Sequence, residues 1–348
     1  MTIEEIFSEA AVAEASDIHL AHNLPVFFRI DGDLIEIKKW PVLDHQAILQ
    51  LIEPIINPEQ KERLFKKKNL DFSFQIKEGV RFRVNLFWER GSLALAARLI
   101  QLKIPAMEEI NMPKVAYKLT ELKDGLILVT GPTGCGKSTT LAAFINYISA
   151  NRSCHIITLE DPIEYIFKQQ KGIIVQRELG QDMLSFESAL KHIVRQDPNV
   201  VLVGEMRDLE TVRLAITLAE TGHLILATLH TPNAPQAVDR IIDIFPAYQQ
   251  TQVRLQLALV LRAVISQHLL PKVNGGRIAA REILINTSAT ANLIRENKVA
   301  QLRTVMQTGA KDGMCILEQD LKLFYRKNLI TLDTALAHAT YPEDILKD

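Results

Sequence analysis

The sequence predicts an α/β protein built on a parallel sheet, with a small α+β segment before it and a helical stretch after it. Three observations predict this. From residue 120, apolar β-branched blocks at 126–130, 156–159, 200–203 and 224–229 alternate with segments of helical periodicity. Blocks that are apolar on both faces suit strands buried in a parallel sheet. Before residue 100 the apolar runs are short, alternating and broken by turn residues, and after residue 246 helical spacing dominates. At 348 residues the chain exceeds an ordinary domain of ~100–200, so two domains are expected. The expected division is a first domain at 1–99, a linker at 100–113 and a second domain at 114–348, helical from about 246.

Residues 1–15 open with Ile3, Ile6, Phe7, Ala10 and Ala11 on one helical face. Strands are expected at 17–20, 26–30 and 34–37, with Asp31-Gly32-Asp33 as the turn between the last two. A helix follows at 43–56, then strands at 72–76, 80–87 and 93–99. The segment IQLKIPAMEEINMP carries two prolines and little periodicity, which marks the linker. Beyond 246, helices are expected near 247–268, 289–297, 299–307, 315–327 and 331–339.

Composition narrows the function classes. Apolar residues are 47% and charged residues 23%, the balance of a soluble globular protein. Forty Lys and Arg against 41 Asp and Glu leave a net charge of −1, so the basic excess of a dedicated nucleic-acid binder is absent, and no direct nucleic-acid partner is expected. Cys135, Cys154 and Cys315 are widely spaced and odd in number, which suits a reducing compartment rather than a disulfide framework or a zinc ribbon. The start MTIEEIFSEA lacks the basic and apolar regions of a signal peptide, and no apolar run nears the ~20 residues of a membrane span. No membrane insertion is expected; any membrane association goes through a partner.

The most specific feature is GPTGCGKSTT at 131–140, which matches G-x-x-x-x-G-K-[ST] at Gly131, Gly136, Lys137 and Ser138. By chance the pattern arises in about one chain of this length in a hundred. A strand candidate precedes it, and Leu141, Phe144, Ile145 and Ile148 follow at helical spacing, so the strand–loop–helix context is met. Glycines let the backbone turn its N–H groups inward at a helix N-terminus, a nest for phosphate. The nucleotide is then held by Gly131, Pro132, Thr133, Gly134, Cys135, Gly136, Lys137, Ser138, Thr139 and Thr140. Lys137 reaches the β- and γ-phosphates and the Ser138 hydroxyl ligates Mg²⁺. The expected ligands are therefore ATP and Mg²⁺.

Ligands bind outside the carboxyl ends of parallel strands. Three further loops follow strand candidates there: Glu160-Asp161-Pro162-Ile163-Glu164, Gly204-Glu205 and His230-Thr231. Glu205 ends an apolar strand where an acidic residue of the nucleotide site belongs, but Gly204 stands where a metal-binding Asp is usual. Glu205 then holds a metal-bound water or orients the attacking water, and Glu164 competes for the second role. Glu160 and Asp161 are adjacent and cannot both face the metal. A solvated acidic turn is the plain alternative for each. His223 and His230 flank one strand, and seven residues at ~3.3 Å each put them roughly 20 Å apart. His230 belongs to the active edge, and His223 to the opposite one, in a structural or interfacial place. In VRFRVN, period two puts Arg81, Arg83 and Asn85 on one strand face. The alternation alone suits a solvated face; the functional alternative is arginines offered to the γ-phosphate. Arg195, Arg207, Arg213 and Arg240 are weaker candidates of the same kind.

Taken together, Ala15-Ser16-Asp17-Ile18-His19-Leu20, Arg29-Ile30-Asp31-Gly32, GPTGCGKSTT, ITLEDPIE, VLVGEMRDLET and TGHLILATLHT, in that order, resemble the type II/IV secretion ATPase superfamily. Within it they most resemble the PilT-type retraction motors of type IV pili, from about residue 3 to about 343. The resemblance implies a PAS-like first domain, a RecA-like ATPase domain and a helical C-terminal extension. It implies a cytoplasmic homohexameric ring, peripheral to the inner membrane at the pilus base, working on an inner-membrane platform protein. It places Glu160, Asp161 and Glu164 in an acidic box, Glu205 in the Walker B motif, and His223 and His230 in a histidine box. A ring lets His223, far from its own nucleotide, face a neighbour. Arg81 and Arg83 match positions that reach the nucleotide in the family. Cys135 stands where Ser is usual, and both are small. In ATANLIRE at 289–296, Thr290 and Ala291 replace the apolar and basic residues of a retraction-associated motif. The longer N-terminal arm and four-cysteine insertion usual in extension and secretion ATPases are not seen, which favours retraction. The alternatives are an ATPase of a related secretion or DNA-uptake machine, or a nucleotide-binding accessory regulator of the motor.

Overall fold

Helix capping and strand alternation build the N-terminal part of the protein. The computed structural model describes residues 1–30, 32–77, 79–100 and 103–346. Asp31 of the expected turn, and Gln101 and Leu102 of the expected linker, lie outside the described residues. The chain divides into two units, Met1–Lys103 with Pro162–Ile166, and Ile104–Asp161 with Phe167–Asp348.

In the first unit, α1 (Ile3–Val12) starts with a reciprocal capping box, Glu5 N–H to the Thr2 hydroxyl and Thr2 N–H to the Glu5 carboxylate. It buries Ile3, Ile6, Phe7 and Ala10. Strands β1 (Asp17–Leu20), β2 (Val26–Ile30) and β3 (Asp33–Ile37) follow. The expected helix at 43–56 is shorter than its apolar pattern. α2 (His45–Ile52) gives way to a 3₁₀ turn, because Pro54 lacks the N–H that would continue it. α3 (Pro58–Lys67), which the apolar periodicity did not predict, is capped by Asn57 and stopped by Lys68 at φ 60°. Strands β4 (Asn69–Gln75), β5 (Arg81–Glu89) and β6 (Ser92–Ile100) complete an antiparallel six-stranded sheet in the order β3-β2-β1-β6-β5-β4. Phe82, Val84 and Leu86 point into the core, where the Phe82 ring centroid is 4.5 Å from that of Phe7.

The second unit begins with α4 (Lys114–Thr120), β7 (Gly125–Thr130) and α5 (Lys137–Asn151). There follow β8 (His155–Glu160), β9 (Ile173–Glu178), α6 (Phe186–Ile193), β10 (Val200–Val203), α7 (Leu209–Glu220), β11 (Leu224–Leu229), α8 (Ala234–Asp243) and α9 (Ala247–Val260). Then come β12 (Leu261–Pro271), β13 (Arg277–Ile285), α10 (Ser288–Arg295), α11 (Leu302–Thr308), α12 (Leu317–Arg326), α13 (Leu332–His338) and α14 (Pro342–Leu346). The sheet has seven strands in the order β13-β12-β7-β11-β10-β8-β9. β7, β10 and β11 are buried along their whole length, as central parallel strands must be.

Two expectations are corrected here. Residues 261–268 are not the end of a helix: α9 stops at Val260, and β12 runs parallel beside β7. Nor is the sheet wholly parallel, because β13 returns antiparallel to β12, turning through Gly275 and Gly276 at φ 80° and 73°. The sheet is therefore mixed. Short apolar runs fit helix and strand alike, and here a long-range partner, β7, decides.

Candidate functional site

Parallel pairing brings the four expected loops to one edge. Thr130 ends β7 opposite Leu229 of β11, Val203 of β10 lies opposite Ala227, and Leu159 of β8 opposite Val203. The loops after these strands all leave the carboxyl side, where a doubly wound sheet binds its ligands.

The phosphate loop runs from Gly131 to Gly136. Gly131, Gly134 and Gly136 take φ of 137°, 81° and 89°, values open to glycine but strained for other residues. Pro132, Thr133 and Gly134 form the exposed rim, while Cys135, Lys137 and Thr140 are buried and Ser138 and Thr139 partly so. Lys137 Nζ donates to the carbonyl oxygens of Gly131 at 2.8 Å and Pro132 at 3.0 Å, so the ammonium is folded back over the loop. α5 starts at Lys137 with no side-chain cap. An uncapped start of a fifteen-residue helix leaves backbone N–H donors for an anion. A glycine-lined cradle, those donors and a lysine beside them fit a nucleotide's phosphates. Burial raises the Cys135 thiol, so it stays protonated and behaves as a small apolar residue.

Sequence reasoning missed the strand that backs this loop. Gln267 of β12 is 1% exposed. Its Nε2 donates to the Cys135 carbonyl at 2.8 Å, and its Oε1 accepts from the Thr140 hydroxyl at 2.9 Å. The Ser266 and Thr130 hydroxyls are 2.6 Å apart. The only trace of this in the sequence is a polar Ser-Gln-His triplet inside an apolar run, read there as helix.

Two strands from the phosphate loop, Glu205 is held between His230, whose Nε2 is 3.2 Å from one carboxylate oxygen, and Arg207, 2.6 Å from the other. The Glu205 side chain is 13% exposed and His230 49%, so the pair opens to solvent on the histidine side. Gly204 fits against the neighbouring strand: a Cβ there would press on the Leu159 carbonyl at 3.0 Å. The Glu160 carboxylate accepts from the Thr158 hydroxyl at 2.6 Å and from Gln176 at 3.2 Å, while Asp161 is exposed. Among the described residues no three His, Cys, Asp or Glu are grouped to hold a metal by themselves.

His223 lies at the other end of β11, where its carbonyl accepts from Gly125 N–H at 3.1 Å. Its Nδ1 is 3.0 Å from the Leu218 carbonyl oxygen and 3.2 Å from the Thr221 hydroxyl, closing the end of α7. The two histidines thus occupy opposite edges of the sheet. Glu164 belongs to the first unit and is exposed. Arg81 and Arg83 are on β5 of that unit, with Arg81 donating to the Ser73 hydroxyl and Arg83 exposed. Arg213 pairs with Glu210 on α7.

Backbone donors at a helix start, a lysine over them and a carboxylate across the same edge are what nucleoside triphosphate hydrolysis requires; the chain is a P-loop ATPase. It belongs to the type II/IV secretion system protein family, whose profile matches residues 1–319. Across 344 residues it is 45% identical to the type IV pilus retractation ATPase PilT of Pseudomonas aeruginosa, covering 99% of this chain and 100% of that protein. It is also 45% identical to a twitching motility protein of Neisseria gonorrhoeae, over 91% of this chain and 85% of the relative. A crystal structure of the pilus retraction motor PilT with bound ADP superposes with a TM-score of 0.93 at 46% identity, covering 99% of this chain and 98% of that one. No helix among the described residues is long and apolar enough to cross a membrane.

Proposed function

We propose that this chain is the ATP-hydrolysing subunit of a motor that retracts type IV pili. The observation that carries the reading is likeness over the whole chain: 99% of it aligns with all of a pilus retraction ATPase, not only through the nucleotide core. In this reading the subunits form a homohexameric ring in the cytoplasm, at the pilus base, acting on an inner-membrane platform protein.

The proposed chemistry follows from the geometry. The backbone N–H groups of the loop and Lys137 hold the β- and γ-phosphates, oriented the same way before and during transfer. Ser138, Glu205 and one of the adjacent pair Glu160 and Asp161 are the residues that would hold Mg²⁺, whose charge stabilises the transferring phosphoryl group. Glu205, oriented by His230 and Arg207, aligns the attacking water and draws on its proton; Glu164 is the rival for that role. Arg81 and Arg83 are the first unit's candidates for neutralising γ-phosphate charge, and His223 is a candidate for a ring contact.

The test is retraction in a deletion strain, complemented with the wild-type gene or with Glu205→Gln. Loss of retraction with excess surface pili, restored by the wild type alone, is expected. Undiminished retraction in the deletion strain would overturn the assignment.

A further inference from the structure

We propose that Gln267 is a positioning residue for nucleotide binding: it bridges the apex of the phosphate loop to the first turn of α5 and holds the loop in its anion-binding shape. Its side-chain amide spends both ends on the loop. Nε2 donates to the Cys135 carbonyl at 2.8 Å and Oε1 accepts the Thr140 hydroxyl at 2.9 Å. Cys135 precedes the glycine at which α5 begins, and Thr140 lies one turn inside the helix. The two bonds therefore span the stretch, Gly136 to Thr139, that opens the helix and whose N–H groups would serve a bound phosphate.

The bridge is buried and close-fitting. Gln267, Thr140 and Cys135 are 1%, 1% and 3% exposed, so water cannot replace either bond. The loop glycines are shaped around it. A Cβ on Gly131 would run into the Gln267 backbone carbonyl, and one on Gly136 would sit 3.3 Å from Gln267 Nε2. Backbone and side chain of one residue thus border the loop at both ends. The Cys135 carbonyl, taken up by Gln267, already has its partner in the protein. Gln267 touches no reacting atom, and because the loop grips ground state and transition state alike, its loss acts on binding more than on turnover.

The inference rests on nucleotide binding at the loop and is independent of which machine the motor serves. The test uses the full chain and Mg·ADP, with wild-type affinity as the control that the loop binds nucleotide at all. Gln267→Leu keeps most of the volume and removes both bonds. Thr140→Val removes one bond and leaves Gln267 in place. The expected result is a Kd for Mg·ADP and a KM for ATP raised roughly tenfold or more in Gln267→Leu, with kcat within a few-fold. Thr140→Val should show a smaller rise in the same direction. The double variant should lose no more than Gln267→Leu alone, since both changes break one bridge. Unchanged Kd and KM in a Gln267→Leu protein that melts cooperatively would overturn the proposal. If that variant does not fold, wild-type affinity in Thr140→Val overturns it in its place.

Discussion

Gln267 and Arg281 are direct cross-strand partners in the antiparallel pairing of β12 with β13. Opposed residues of such a pair share one face of the sheet. Gln267 binds the phosphate loop. Arg281 donates to the Ile110 carbonyl at 2.8 Å and the Asn111 carbonyl at 3.1 Å, holding the segment that leads into α4. One rung of the sheet therefore carries both the nucleotide loop and the chain that enters the domain.

Arg281 is 3% exposed, and burial lowers it to about 10, with Asp320 opposing the shift. Removing a buried charge that satisfies backbone carbonyls strands its partners. Arg281→Met is expected to cost about 2–5 kcal/mol in stability and to speed proteolysis within 104–113. A melting curve and a timed protease digest check it; wild-type behaviour in both would show that the segment is held by other contacts.

Glu205→Gln keeps the size of the side chain and its bond to His230 but removes the charge. The expected outcome is a kcat lower by about 10²–10⁴-fold, with Mg·ADP affinity retained within a few-fold. Steady-state ATPase assays and a binding titration measure the two. Turnover near wild type would move the water-orienting role to Glu164.

Gly131 combines φ 137° with no room for a side chain, since an added Cβ would run into the Gln267 carbonyl oxygen. Gly131→Ala must distort the loop or push β12 away. Loss of measurable Mg·ADP binding is expected, along with a stability cost of about 1–3 kcal/mol. Binding that survives unaltered would mean that β12 yields easily at this point.

Glu282 accepts the Ala234 N–H at 2.8 Å, and burial pushes its carboxyl above the ordinary value. A carboxyl raised in the folded state contributes stability below its unfolded value of about 4.3, and that contribution fades as pH rises through the folded value. Glu282→Gln is neutral throughout and retains the acceptor. Its melting temperature is expected to gain on wild type as pH rises from about 4 towards neutrality. A constant difference across that range would count against the shift.

Much of this was legible beforehand, and the reasons are local. The glycine spacing and Lys137 announce the phosphate loop because the nest needs those residue types in consecutive places. β7, β10 and β11 announce themselves because a strand buried on both faces must be apolar at every position. The helix starting at Pro58 was less legible, since only Leu64 of it is buried and its signal lies in the Asn57–Gln60 cap instead of in periodicity. The hairpin after α9 was misread although Asn274-Gly275-Gly276 stood there as a turn signal. An apolar stretch of its length satisfies both periods.

By itself, then, the sequence determined the nucleotide loop, the buried strands and the polar loops that follow them, because each depends on neighbours within a few residues. Tertiary structure alone decided that β12 lies beside β7, that Gln267 props the loop, that His230 meets Glu205 and that Arg281 holds the segment at 110–111. These pairings join residues 25 to 171 positions apart. Strand order, which sets them, comes from how the whole sheet buries its faces, and no local pattern of side chains carries that information.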